Sequence, residues 1–301
     1  MALLLPLARL AAADEWRVLP ESSIQLVQFD VGNLEDPSWF DNLSVFVGLE
    51  GSKQPQDVGI NANFGGRAAF NLAMPVWDDA GLGVQLGTAL VGTDNAVQVL
   101  EAIDGTGSRF QSFTTLGVFQ QSPAGWEWAL AWDFLYESYY DDFALNQLRG
   151  RVGLDVSQRD QIGVWGTWSP DETNANVGGV PVRLSPINQV NMFWKHDWQT
   201  GVETEGWIGV AEGHGKVVHV FPGDSGLGAV PMFGAALQIP LNQRLAIYGQ
   251  GNFILPSDSG TVDAYLGIVY HFDDARVTRR KQYSPPLDVA GSTSFSVDLR
   301  R

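Results

Sequence analysis

The residues best suited to chemistry are isolated charges set at alternate positions within apolar stretches. Arg67, Glu127, Asp133, Arg149, Arg151, Asp155, Lys195 and Asp263 all have this placement. Opposed acids and bases on one wall would impose a transverse field and select solutes by size and charge. The same residues can also pair with one another and plug a narrow passage; their types leave both arrangements open. Glu137-Ser138-Tyr139-Tyr140-Asp141-Asp142 and Asp171-Glu172 offer oxygen ligands of the kind Ca²⁺ takes. Neither has a complete calcium-loop spacing, so solvated loops are expected there. The absence of cysteine excludes disulfides and thiol catalysis, and with four histidines a structural zinc site is not expected. The sequence therefore predicts no cofactor and no metal.

Three short motifs give way to simpler readings. Gly223-Asp224-Ser225-Gly226 resembles the nucleophile segment of chymotrypsin-like proteases, but it continues as Leu227-Gly228 where that family has Gly-Pro. No histidine segment resembling that family's accompanies it, so a Gly/Asp/Ser loop turn is expected. Glu212-Gly213-His214-Gly215-Lys216 has Val210 where a phosphate loop needs its first glycine, and Val217 in place of Ser or Thr. Gly81-Leu82-Gly83 and Gly87 have the wrong spacing for a dinucleotide loop and precede no helix.

The elements that carry the charges alternate with period two. In WEWALAWDFLY (126–136), Trp126, Trp128, Leu130, Trp132, Phe134 and Tyr136 share one face, and Glu127 and Asp133 the other. Residues 148–156 set Leu148, Val152 and Leu154 against Arg149, Arg151 and Asp155. Such stretches predict strands with one apolar face and one small or polar face. Twelve are expected, over 43–51, 60–75, 81–92, 107–120, 125–136, 144–156, 161–168, 186–196, 202–212, 229–238, 244–254 and 261–272. The same pattern would also fit ten or fourteen. Connections alternate between tight turns, such as Ser122-Pro123-Ala124-Gly125, and mostly longer polar segments, such as 93–106, 169–185 and 213–228. That asymmetry is expected of an antiparallel up-and-down transmembrane β-barrel with both ends on the short-turn side.

The polar face is rich in Gly, Ala, Asn, Gln and single charges, which would make a poor dry core. Turning the apolar face outward toward lipid and the polar face inward resolves this. Closure then pairs every backbone amide, as hydrocarbon surroundings require. Trp126, Trp128, Trp132, Phe134, Tyr136, Phe253, Tyr270 and Phe272 are the expected lipid-facing aromatics.

Composition agrees. In 301 residues there are 34 Gly, charged residues make up 17%, and the net charge of −16 argues against nucleic-acid binding. Residues 1–13, MALLLPLARLAAA, read as a signal peptide ending in a small-x-small site, so export is expected. Residues 14–42 are expected to form an N-terminal periplasmic segment and 43–272 the barrel. Residues 273–301, with six basic and four acidic residues, read as an extended periplasmic tail, with contact to an anionic partner or partial folding into the lumen as the alternatives.

Asp263–Phe272, DAYLGIVYHF, resembles the closing strand of bacterial outer-membrane β-barrel proteins, with apolar residues at alternate positions before Phe272. In that family the pattern is a signal for the barrel-assembly machinery. Here it is followed by 29 further residues. Through GLEGSKQPQDVGINANFGGR (48–67), GTVDAYLGIVY (260–270) and VDLRR (297–301) the chain also looks like an uncharacterised family of bacterial envelope barrels. The resemblance implies an outer-membrane location, with membrane lipids as partners. Porin-like passive passage of ions or small hydrophilic solutes is the expected function. A closed structural or adhesive barrel with partner-binding loops is the alternative. Outer-membrane phospholipases, also twelve-stranded, use Ser and His near the outer surface. His196 and His271 are expected at the opposite end, leaving His214 or His219 near Ser225, and the serine motif of that family is not apparent. The expectation is that the protein is not an enzyme.

Overall fold

The computed structural model describes residues 42–57, 61–97, 101–102, 105–212, 228–255, 261–273, 275 and 284–300. The expected signal peptide, nearly all of the N-terminal segment, His214, His219 and Gly223–Gly226 lie outside them.

Twelve strands close into an antiparallel barrel. They are β1 (Leu43–Lys53), β2 (Asn63–Trp77), β3 (Leu82–Asn95), β4 (Ser108–Gln121), β5 (Trp126–Ser138), β6 (Asp142–Asp155), β7 (Asp160–Trp168), β10 (Gln189–Asp197), β11 (Glu203–Glu212), β12 (Ala229–Pro240), β13 (Leu245–Ile254) and β14 (Thr261–His271). Each pairs with its chain neighbour, β7 pairs with β10, and β1 closes on β14 over Ser44↔His271 to Lys53↔Val262. All twelve coincide with the stretches marked by period-two alternation.

Among the described residues three strands lie outside the wall: β8 (Thr173–Val177), β9 (Val180–Pro186) and β15 (Val297–Arg300), ordered β15-β9-β8. The sequence reading took β8 and β9 as loop. Gly178 and Gly179, at φ 55° and 80°, make the tight turn between them, which only residues free of a Cβ adopt easily.

The phase of the alternation decides which side of the wall meets lipid. Leu49, Leu130, Val152, Met192, Ile208 and Leu266 stand exposed on the outer face. Their sequence neighbours Glu50, Ala129, Arg151, Asn191, Trp207 and Tyr265 are buried inside. Charged residues on the outward phase, such as Asp142, Asp160 and Glu212, sit at strand ends. Outward Trp77, Trp126, Trp198 and Phe272 ring the short-turn end, and Phe64, Phe110, Tyr136 and Trp168 the long-loop end. Two aromatic girdles flanking an aliphatic band are the surface a bilayer requires. Trp132 and Phe134, 6.1 Å apart, face outward between the girdles, while Phe233 stacks on Phe253 at 5.1 Å and Tyr270 meets Phe272 edge-on.

Placing a charge in this band should be costly. Ile208→Arg, at a position 69% exposed, should destabilise the barrel by about 2–4 kcal/mol. Urea unfolding in lipid vesicles, with gel mobility as the readout of folding, checks it; an unchanged midpoint would contradict the outward assignment.

Candidate functional site

The interior is where the candidate charges meet. Arg67 reaches Glu50 at 3.0 Å, Arg149 reaches Asp133 at 3.0 Å, and Lys195 reaches Glu203 at 2.8 Å. Arg151 lies between two acids, 3.4 Å from Glu127 and 2.7 Å from Glu205, with its guanidinium over the Phe193 ring. The inward cations proposed as pore-lining are thus all held by acids. Asp263 is fully buried and accepts a hydrogen bond from Gln54 Nε2 at 3.2 Å. Asp155 differs: it is exposed at the short-turn rim, where Gln161 Nε2 donates to it at 3.1 Å.

The candidate residues fall at three levels. Glu127, Arg151 and Lys195 lie toward the short-turn end, Asp133 and Arg149 at mid-height, and Arg67 and Asp263 toward the long loops. Sequence reasoning missed several partners: Glu50, Arg109 and Glu205 on the inward phase, and Asp57 in the 3₁₀ turn Pro55–Asp57 after β1; Glu137, read as a loop residue, is on the inward phase too. Asp57 stands 3.6 Å from Arg109; burial raises its carboxyl above the ordinary range, partly opposed by that guanidinium. For Glu50 the available signal was phase, since it follows Leu49 on an alternating strand as the chosen charges do; Glu205, between Thr204 and Gly206, and Asp57, in a turn, carry no such signal.

The larger correction concerns the C-terminal segment. Residues 284–300 do not extend free on the short-turn side; they run through the lumen. Ser284 to Asp288 line the short-turn end beside Asn42 and His271, while Leu299 and Arg300 pair with Leu184 and Arg183 of β9 at the long-loop end. The wall supplies hydrogen-bond partners along this course. Gln85 Nε2 donates to the Leu287 carbonyl at 2.7 Å and Arg149 Nη2 to that of Asp288 at 2.7 Å. Arg67 Nη2 donates to the Ala290 carbonyl at 3.1 Å, and Gln54 Nε2 to that of Ser292 at 3.3 Å. The Ser294 carbonyl takes Gln147 at 3.1 Å and Gln189 at 3.3 Å. In return the Ala290 amide donates to Thr115 Oγ1 at 3.0 Å and the Val297 amide to Gln54 Oε1 at 3.1 Å. The Ser292 hydroxyl donates to Glu50.

Apolar contacts complete the filling. Phe295, with no exposed surface, sits among Phe113, Leu135, Leu145, Val182 and Leu184, so wall, tail and the β8–β9 hairpin share one cluster. Across the lumen Trp165, Ile187, Phe193, Trp207, Met232 and Ile254 fill the long-loop half. Trp207 lies over Gly234, where a Cβ would collide with its ring. Below them a cavity of about 170 Å³ remains at the short-turn end. Glu127, Arg149, Arg151, Lys195, Glu203 and Glu205 line it, with Trp165, Trp207 and Tyr248. Tyr248 donates its hydroxyl proton to the tail carboxylate of Asp288 at 2.5 Å.

Of the calcium-like groups, Glu137 is not in a solvated loop as expected: it is fully buried on the inner face of β5, accepting from Gln111 at 2.7 Å and Gln56 at 3.3 Å. The others carry ordinary polar contacts. Asp171 accepts from the Asn146 amide at 3.0 Å, and Glu172 pairs with Arg183 at 3.3 Å on the exposed hairpin. Among the described residues no group of three His, Cys, Asp or Glu is arranged to hold a metal. His196 meets Asp160 at 2.7 Å and His271 opposes Ser44, both at the short-turn end.

Residues 42–297 match the model of a family of unknown function, DUF6666, and the chain belongs to that family. No curated protein matches it. Solved barrels resemble it at low identity. The TodX monoaromatic hydrocarbon channel aligns with a TM-score of 0.45 at 10% identity, covering 75% of this chain and 88% of that one. The KdgM porin in complex with disordered oligogalacturonate aligns at 0.42 and 7%, covering 75% and 98%. Outer membrane phospholipase A from Escherichia coli aligns at 0.40 and 9%, covering 75% and 95%.

The pairing separates two of the candidates. Arg149→Leu leaves Asp133 without its cation and the Asp288 carbonyl without a donor, and should cost about 3–5 kcal/mol. Asp155→Ala, at the exposed rim, should change stability by less than about 0.5 kcal/mol. Chemical unfolding in micelles measures both; equal effects would contradict the placement.

Proposed function

We propose that this family member is an outer-membrane barrel held shut by its own C-terminal segment, which admits ions or small hydrophilic solutes only when that segment leaves. The short turns face the periplasm in this reading, and the assembly machinery inserts the barrel by reading β14 despite the residues beyond Phe272.

One observation carries the proposal: the inward polar side chains, which suit a solute path, are spent on the tail's main chain. Gln85, Arg149, Arg67, Gln54, Gln147 and Gln189 all donate to tail carbonyls. Water can replace each of those bonds when the tail withdraws, so the vacated wall would suit hydrated ions. The cavity at the short-turn end supports the same reading, since its lining of three cations and four acids suits polar solutes. A permanently closed barrel presenting its loops is the second reading. The cluster joining Phe295 to Val182 and Leu184 of the loop hairpin favours it, because plug and loop then move together.

Planar-bilayer recording distinguishes these readings. The intact chain should show no steady channels. Phe295→Asp forces a charge into the apolar cluster and should release the tail, producing discrete openings. Steady conductance from the intact chain would contradict the self-plugged reading, and a silent Phe295→Asp variant would favour the permanently closed barrel.

A further inference from the structure

The wall recognises the tail chiefly through its main chain. Five carbonyls between Leu287 and Ser294 are met by side-chain donors, and the Ala290 and Val297 amides by side-chain acceptors. Tail side chains are also read, at Asp288 by Tyr248 and at Ser292 by Glu50, and most closely at Gly291 and Phe295. A Cβ on Gly291 would run into the Arg67 guanidinium, which is itself held by Glu50 and the Ala290 carbonyl. Phe295 is the anchor, with its ring 6.1 Å from that of Phe113 and no exposed surface. Between them the Ser294 and Phe295 amides turn back onto the Gly291 carbonyl at 2.9 and 2.8 Å. Beyond the anchor, Val297–Arg300 adds a strand to β9.

This combines two known modes of peptide recognition, strand addition and a single buried aromatic in an apolar pocket. Every contact named lies at or beyond Leu287, so recognition is complete without the covalent link to β14. The link supplies only effective concentration, which for a short connection is of millimolar order.

We propose that the lumen is a peptide-binding channel. It accepts from the short-turn end a segment of the type Ala-Gly-Ser-Thr-Ser-Phe, turned at its Gly, and once its own tail has left, the occupant it fits in trans is the tail of a second copy of this chain. The proposal rests on the self-plugged reading but fails separately from it.

The test uses the full chain with a protease site placed within residues 276–283, folded and then cleaved, and a fluorescent synthetic peptide of residues 284–301. The cleaved protein should retain its own tail and exchange it for the labelled peptide, while the uncleaved protein captures none at micromolar concentration. Unlabelled peptide should compete. Peptides carrying Phe295→Ala or Gly291→Leu should compete roughly 100-fold less well, the former from loss of a buried aromatic. Because the changes are in the peptide, barrel folding is untouched. No capture after cleavage, or equal competition by a scrambled peptide, would overturn the proposal. A quiet chain that opens on cleavage yet captures no peptide defeats this inference alone; steady conductance before cleavage defeats the reading beneath it.

Discussion

A backbone amide or carbonyl taken out of water must find a partner, and that requirement governs this molecule twice. In the wall, closure of β1 on β14 leaves no edge, so the strands can face hydrocarbon. In the lumen, a segment threading the barrel has no regular ladder partner until it reaches β9, so the wall's side chains must satisfy it instead. Glutamine and arginine suit this task. Each carries donors on a long arm, and Gln54 both donates to one tail carbonyl and accepts from one tail amide.

The ion pairs follow from the same filling. A guanidinium enclosed in a packed lumen is expensive unless an acid and further acceptors surround it. Arg149 illustrates the arrangement: it pairs with Asp133, which also accepts from Thr115 and Gln147, while its remaining donor reaches the tail. Arg67 and Arg149, charges that would polarise an open pore, therefore serve here as struts between wall and tail. Inside the barrel, toward the short-turn end, where Lys195, Glu203 and Glu205 border the cavity, paired charges keep part of their surface free.

Much of the fold was legible because lipid imposes a strict rule on phase. Trp126 to Tyr136 could be assigned to one face from alternation alone, and all twelve wall strands were found this way. Periodicity says nothing about what an inward residue touches, so Arg67 and Arg149 were identified without Glu50 or the tail carbonyls that hold them. Entry of the tail into the lumen stayed an alternative to a free segment for a related reason. Ala290-Gly291-Ser292-Thr293-Ser294 has the small, polar composition of a linker, and its order comes from bonds to its main chain, which leave no pattern in the side chains. The β8–β9 hairpin did carry a signal, the Gly178-Gly179 pair flanked by valines, hidden inside a connection long enough to read as loop.

Because the chain contains no cysteine, the position of the tail can be measured directly in cells. The Ala290 amide lies 3.0 Å from Thr115 Oγ1, which places Thr115→Cys and Ala290→Cys side by side for an engineered thiol cross-link. If the tail occupies the lumen, the double variant should form this cross-link in the outer-membrane fraction, and neither thiol should react with a bulky maleimide before reduction. An uncross-linked protein whose residue-290 thiol labels freely from the periplasmic side would contradict the account.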